Sequence, residues 1–353
     1  MQLSDLTFTG LYRRGVMLEQ MKEPALSRTV KQMPTQPVFY EENRRPANPQ
    51  NASPEEIIAA AEAANIIDET DGKKLAEKLR GMRGKNAVLL VDAIDDEPYV
   101  SSQMGPMLAL REQCAGGFRL AQRALETTEG CIAIYKNITD AEVTIPHSIE
   151  GIPLRRIGGS YPAQTRMEDQ MVRRGNAFLI VGACSLIHLF RAVTEGRRQS
   201  TAFVTVAGNC ISFPRNVEAP LGTPIIELIK QCGLTEAPTR VILGGPITGA
   251  AVTDLTSATV RVVTAAVLAI RDDERDERYE CIGCGRCTGA CPQGLNPMQI
   301  LRELHRGNGQ NAEALGLWEC SHCMCCSYIC PSRQSAGAEI LLYQNKKGGD
   351  GTK

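Results

Sequence analysis

CIGCGRCTGACP at residues 281–292 and CSHCMCCSYICP at residues 320–331 are two copies of one pattern, C-x-x-C-x-x-C-x-x-x-C-P. The first places Cys281, Cys284, Cys287 and Cys291 before Pro292, and the second places Cys320, Cys323, Cys326 and Cys330 before Pro331. Three thiolates on a tight loop can hold three corners of a [4Fe–4S] cubane. The fourth, displaced toward a proline, points away and ligates the other cluster where two are present. The spacing therefore predicts two clusters with crossed ligation: Cys281, Cys284, Cys287 and Cys330 on cluster one, and Cys320, Cys323, Cys326 and Cys291 on cluster two. Zinc, the competing occupant, also takes C-x-x-C pairs, but a tetrahedral site has no use for a third cysteine at the second x-x spacing. His322 stands inside the second run with no cysteine missing for it to replace, and reads as a polar neighbour of its cluster. Cys325 is a surplus thiol, read as a packing residue outside the ligand set.

Around these runs the chain reads as support. PMQILRELH and NAEALGLW, between them, set Met298, Leu301 and Leu304 on one helical face that would cover the clusters and limit water. RDDERDERYE at 271–280 is a charged boundary segment, and NKKGGDGTK is expected to be a disordered tail. Of the fourteen cysteines, nine fall between Cys281 and Cys330. The others, Cys114, Cys131, Cys184, Cys210 and Cys232, lie among apolar neighbours as small buried hydrophobes.

Toward the N-terminus, residues 1–50 show no sustained periodicity and read as an irregular arm. Ser53 then caps a helix from Pro54 to about Ala64, with Glu55 and Glu56 in its first turn. A second helix runs through Lys73–Arg80. AVLLVDA at 87–93 is a strand buried on both faces, Met107–Glu126 a helix and CIAIYK a strand. This alternation argues an α/β layer with a parallel sheet. NAFLIVGA, then SLIHLFRAVTEG ended by Gly196, TAFVTVAG, a turn-rich CISFPRNVEAPLGTP, the helix PIIELIKQCG and TRVILGGPITGAAV suggest a second, smaller α+β unit.

With 39 Lys and Arg against 40 Asp and Glu the net charge is −1, so no nucleic-acid or anionic-membrane partner is expected. No apolar run is long enough to span a bilayer and no signal peptide is legible, which predicts a cytoplasmic protein, with peripheral association with a membrane complex left open.

The two cysteine runs, including Cys325, closely resemble the cluster domain of the RnfC family, the Rnf electron-transport complex proteins. FVTVAGNCISFPRNVEAPLGTPIIELIKQCG with VILGGPITG resembles that family's soluble-ligand-binding (SLBB) β-grasp domain. LVDAIDDEPYVSS, with the SPEEII helix before it, resembles part of the flavin-binding α/β domain shared with the flavin subunit of respiratory complex I. The resemblance implies an α/β protein of five parts: an irregular arm (1–50), a degenerate flavin-binding-like α/β domain (51–175), a β-grasp domain (176–270), an α-helical two-cluster ferredoxin domain (271–340) and a tail (341–353). In the family a glycine-rich loop cradles the flavin phosphate after the first helix. Here NIIDETDGKKLAEKL stands there, keeping only Gly72 and setting Asp68, Glu69 and Asp71 where a phosphate would sit. Like charges at contact distance repel, so FMN is not expected. Asp92, Asp95 and Glu97 match the family's acidic flavin or nicotinamide contacts and read either as a vestigial site or as a loop that caps the sheet. The family's glycine-rich N-terminal segment is not recognisable in residues 1–50.

Three functions compete. The first is a relay of single electrons through the two clusters, between a ferredoxin or flavoprotein donor and a partner reductase. The others are an NADH:acceptor oxidoreductase with an altered flavin site and a docking scaffold with structural clusters. The missing glycine loop favours the first. His147, His188, His305 and His322 form no catalytic motif, so no catalytic residue is assigned.

Overall fold

The computed structural model describes residues 30–41, 45–46, 48–135, 145–158, 161–175, 177–252, 254–271 and 278–348. Most of the expected N-terminal arm, the end of the tail and the middle of the charged run at 271–280 lie outside them.

After a two-residue strand β1 (Lys31–Gln32), α1 (Pro54–Ala63) starts where its capping signals lie. Ser53 Oγ accepts the Glu56 amide at 3.3 Å and Glu56 returns a carboxylate oxygen to the Ser53 amide at 2.8 Å, a reciprocal capping box. There follow α2 (Leu75–Met82), β2 (Val88–Ala93), α3 (Met104–Ala109), α4 (Arg111–Leu125), β3 (Gly130–Tyr135), β4 (Ser148–Ile149), β5 (Ile152–Ile157), α5 (Ala163–Arg174), β6 (Phe178–Gly182) and α6 (Ala183–Glu195). The sheet runs β4-β5-β3-β2-β6, with β5, β3, β2 and β6 parallel and β4 antiparallel at one edge. β2 is an interior strand, between β3 and β6, and five of the six residues of VLLVDA are buried. The helix expected over Met107–Glu126 is two, broken at Leu110. β5 and α5 carry too many charges to show a buried pattern in the sequence.

The second sheet is built from β7 (Thr201–Ala207), β8 (Arg215–Pro220), β9 (Arg240–Leu243), β10 (Ala250–Val252) and β11 (Ala266–Ile270), with β1 at one edge, in the order β1-β8-β7-β11-β9-β10. One helix, α7 (Ile225–Cys232), packs Ile225, Leu228 and Ile229 onto Val204, Val206 and Val217. Two expectations change here. The stretch read as turn-rich contains β8, because RNVEAP alternates weakly and its buried Asn216 and Glu218 mimic loop composition. The strand and helix placed at the start of the second unit, β6 and α6, belong to the first. β6 pairs with β2 and α6 packs on α4, so the first unit continues past residue 175 to Glu195. An apolar strand does not announce which sheet it joins.

The cysteine-bearing segment forms a helical third unit: α8 (Arg286–Ala290), α9 (Pro297–His305), α10 (Gly309–Ala314), α11 (Cys325–Tyr328) and α12 (Ala336–Gly348). Cys114, Cys184, Cys210 and Cys232 are buried and Cys131 is half-buried, away from this unit.

α4 and α6 approach unusually closely because α4 presents Gly117 at their crossing. A Cβ there would meet the Leu186 carbonyl oxygen at 2.0 Å. Gly117→Ala must push two backbones apart, and we expect it to lower the unfolding free energy by about 1–3 kcal/mol. Gly81→Ala in α2, whose added Cβ meets nothing within 4 Å, should instead be neutral or stabilising. Paired denaturant titrations check this; equal effects at the two sites would remove Gly117 from its role.

Candidate functional site

Each cysteine run starts as a loop and turns into a short helix, α8 or α11. The loop needs left-handed backbone at the second and fourth residues after its first cysteine. In the first run these are Gly283 (φ 70°) and Gly285 (φ 72°), and in the second they are His322 (φ 57°) and Met324 (φ 57°). Glycine adopts this region freely and other residues reluctantly, so the second run holds the same turn at a conformational cost. The repeat in the sequence is thus a repeat in backbone geometry.

The two runs face each other across two cavities. The first, about 190 Å³, is lined by Cys281, Cys284 and Cys287 of one run and by Cys330 of the other. The second is narrower and is lined by Cys320, Cys323 and Cys326 with Cys291. The crossed set of thiols read from spacing is the set brought together around each cavity. The Gly283 amide donates to Cys281 Sγ and the Gln334 amide to Cys330 Sγ, both at 3.4 Å, and Arg302 Nη2 lies 3.8 Å from Cys281 Sγ. Among the described residues no three such side chains converge on a point as a single metal ion requires; the thiols ring a space. That donor set fits a cubane.

His322 turns its ring to the Gln344 side chain of α12, whose amide donates to the Leu317 carbonyl at 2.6 Å. Cys325 lines neither cavity and sits 4.0 Å from the Tyr161 carbonyl. α9 buries Ile300 and Leu301, with Met298 half-buried beside Leu301.

The acidic residues at the end of β2 and just after it have different work. Asp92 accepts the Ile94 amide at 2.8 Å, and burial pushes its carboxyl well above the ordinary range. Asp95 accepts the Gln103 and Met104 amides at 3.2 and 2.8 Å, at the start of α3; burial raises it to about 7. Glu97 accepts the Ile247 amide at 2.7 Å and the Thr248 amide at 3.3 Å, in the turn between β9 and β10. Asp96, not singled out by the sequence pattern, accepts the Ala163 and Gln164 amides at the start of α5. The unbroken run of three acids was the available signal. Tyr161 donates its hydroxyl to the Cys323 carbonyl at 2.9 Å, and no local pattern marks it.

The Asp68–Gly72 loop folds back on itself. Asp68 accepts from Thr70 and from the Gly182 amide at 3.1 Å, and is paired with Lys78, which also holds Asp71 at 3.0 Å. Glu69 reaches the N-terminus of α6, where its carboxylate accepts the Cys184 and Ser185 amides at 3.0 and 3.2 Å and the Ser185 hydroxyl. A helix N-terminus attracts an anion, and here the chain supplies its own.

Two domain models match the chain: an SLBB domain at residues 203–251 and a 4Fe–4S dicluster domain at residues 273–331. The RnfC subunit of the ion-translocating oxidoreductase complex from Rhodobacter capsulatus is 31% identical over 291 residues, covering 76% of this chain and 56% of that protein. Its counterpart from Klebsiella pneumoniae is 30% identical over 248 residues, covering 65% and 33%. The chain therefore spans between a third and somewhat over half of the curated relatives it matches. An NAD+-reducing [NiFe]-hydrogenase crystal structure shares the fold at a TM-score of 0.57 and 14% identity, over 94% of this chain and 64% of that one. Fold and thiol geometry together define an iron–sulfur protein on a mixed α/β scaffold. Within that class, the chain is a homologue of RnfC.

Burial and the neighbouring Asp68 push the Glu69 carboxyl from its ordinary value of 4.5 to about 7. A raised folded-state pKa means that the folded chain binds the extra proton, so the stability contribution is present below about pH 4.5 and lost as pH rises through 7. Glu69→Gln removes this titration. From pH 5 to pH 8 the stability of the variant should gain on the parent by on the order of 1–3 kcal/mol. A difference that stays flat with pH, in urea melts at each value, would contradict the assignment.

Proposed function

We propose that this chain is an electron-transfer subunit that relays single electrons through two [4Fe–4S] clusters, between a ferredoxin or flavoprotein donor and a partner reductase in a multisubunit assembly. The observation that carries it is the pair of cavities, each ringed by three thiols of one cysteine run and one of the other. When bound, the clusters supply one-electron chemistry; the chain positions them side by side and shields them. Cys281, Cys284, Cys287 and Cys330 hold the first, and Cys320, Cys323, Cys326 and Cys291 the second. α9 and α12 close over them with Ile300, Leu301, Ile340 and Ala336.

In this reading the α/β unit, running through α6, is a scaffold without flavin. Glu69 holds the α6 N-terminus where a phosphate would otherwise be welcome, and Asp92, Asp95 and Glu97 are engaged with backbone amides. Asp95 and Glu97 join elements and Asp92 fixes the end of its own strand, which supports the capping interpretation over a vestigial binding site. The unit from β7 to β11 is proposed to be the β-grasp domain, on the strength of one helix packed across a mixed sheet and the SLBB match. No helix among the described residues is long and apolar enough to cross a membrane. The chain is proposed to sit peripherally in a multisubunit complex, of which the relatives' name makes them a subunit.

Protein purified without oxygen should contain about eight irons per chain with matching acid-labile sulfide and no stoichiometric flavin. Zinc in place of iron would end the reading. Cys330→Ala should cost the cluster on the first run and Cys291→Ala the cluster on the second, seen as loss of one of two paramagnetic signals; loss within the same run would reverse the ligand assignment.

Without a hydride acceptor, NADH alone should leave the cluster absorbance unchanged under argon, whereas a reduced ferredoxin should bleach it. Rapid bleaching of flavin-free protein by NADH would overturn the relay.

A further inference from the structure

The two thiol cavities are built alike in backbone but not in surroundings. Both runs aim the amide two residues after the first cysteine back at its sulfur, Gly283 to Cys281 and His322 to Cys320, so this contact does not distinguish them. The rest does. The first cavity opens to solvent beside exposed Cys284 and Ile282, the latter 71% exposed, and polar Thr288, Asn296 and Gln299 share its lining. Arg302, exposed on α9, lines the same cavity and brings its guanidinium to 3.8 Å from Cys281 Sγ. The second cavity is enclosed, and apart from its thiols and Ser321 it is lined by Leu295, Pro297, Met324, Gly337 and Ile340. Its wall adjoins the α/β unit: Met324 packs with Ile247 and Tyr161, and Tyr161 bonds the Cys323 carbonyl. The Asp96 and Glu97 carboxylates bear on that same tyrosine, which puts negative charge on this side.

Reduction adds an electron to a centre that already carries negative charge. A cation, solvent and hydrogen bonds to sulfur favour the reduced form, while an apolar shell and nearby carboxylates disfavour it. Hydrogen bonds to sulfur do not favour the first cavity, because Ser321, Cys325 and Ser327 donate to Cys323 and Cys326 in the second. The Arg302 charge, the solvent access and the apolar shell do differ, and these three have the same sign. We propose that the clusters are unequal: the one on Cys281, Cys284, Cys287 and Cys330 has the higher reduction potential and is the terminal at which the chain exchanges electrons with its partner, with Arg302 tuning it. The inference rests on the relay reading above. The cluster on the second run is the inner one, harder to reduce and insulated by α12. An electron entering the chain settles at the surface, where Arg302 and Ile282 stand at the mouth.

The test is a redox titration of the intact chain followed by electron paramagnetic resonance, on the parent, Arg302→Gln and Arg302→Lys. The two signals are assigned beforehand with Cys330→Ala and Cys291→Ala. The signal lost in Cys330→Ala should appear first on reduction. Arg302→Gln should move that midpoint alone to more negative potential, and Arg302→Lys, which keeps the charge, should largely restore it. Arg302 is exposed, so the fold should tolerate both changes, and unchanged iron content verifies this. Midpoints that coincide, an inner cluster that reduces first, or an Arg302→Gln shift of both signals equally would overturn the proposal. Absence of any cluster signal in the parent would instead overturn the relay reading itself.

Discussion

The loop that leaves β2 carries the constraint on which the arrangement depends. Asp95, Asp96 and Glu97 point in three directions, and each accepts backbone amides from a different element: the starts of α3 and α5, and the turn between β9 and β10. A buried carboxylate is costly unless it is hydrogen-bonded, and charge-assisted bonds to amides are among the stronger ones available. Three adjacent residues thus tie two helices of the α/β layer and a turn of the second sheet to one loop. Because α5 follows directly on Tyr161 and Pro162, the same anchor fixes the tyrosine that touches the second cysteine run. The position of the cluster unit depends on a loop that holds no cysteine.

A second tie lies farther back. Arg191 of α6 is paired with Glu218 of β8, both about 5% exposed, with Thr201 and Gln113 satisfying further atoms. Burial alone would raise the glutamate's pKa, but the guanidinium and the threonine hydroxyl carry it below its ordinary value. Beside it, Ser101, in the segment between β2 and α3, exchanges hydrogen bonds with Thr205 of β7 and Asn216 of β8. Such networks favour one docking geometry because any other would strand a buried polar group.

The cluster unit solves its problem twice with different residues. Glycines make the left-handed turns of the first run, while the second uses His322 and Met324. Met324 is almost fully buried, and its side chain supplies part of the apolar contact with Ile247 and α12. The conformational cost of a side chain at positive φ is offset by packing that a glycine could not provide. This exchange makes one half of an internal repeat the inner half.

The ligand pattern, the crossed set of thiols, the α/β alternation and the boundaries of α1 were legible in the residues. Each depends on local spacing: thiolates within a dozen residues, a Ser-Pro-Glu-Glu cap, an apolar run of strand length. Which sheet receives β6, that RNVEAP is a strand, that Glu69 caps α6, and that Asp95, Asp96 and Glu97 join three elements were decided only by the tertiary structure. A strand's partners and a carboxylate's donors lie up to about 150 positions away in the chain. Their identity is set by which amides the packed elements leave without a partner, a quantity that exists only once the elements have met.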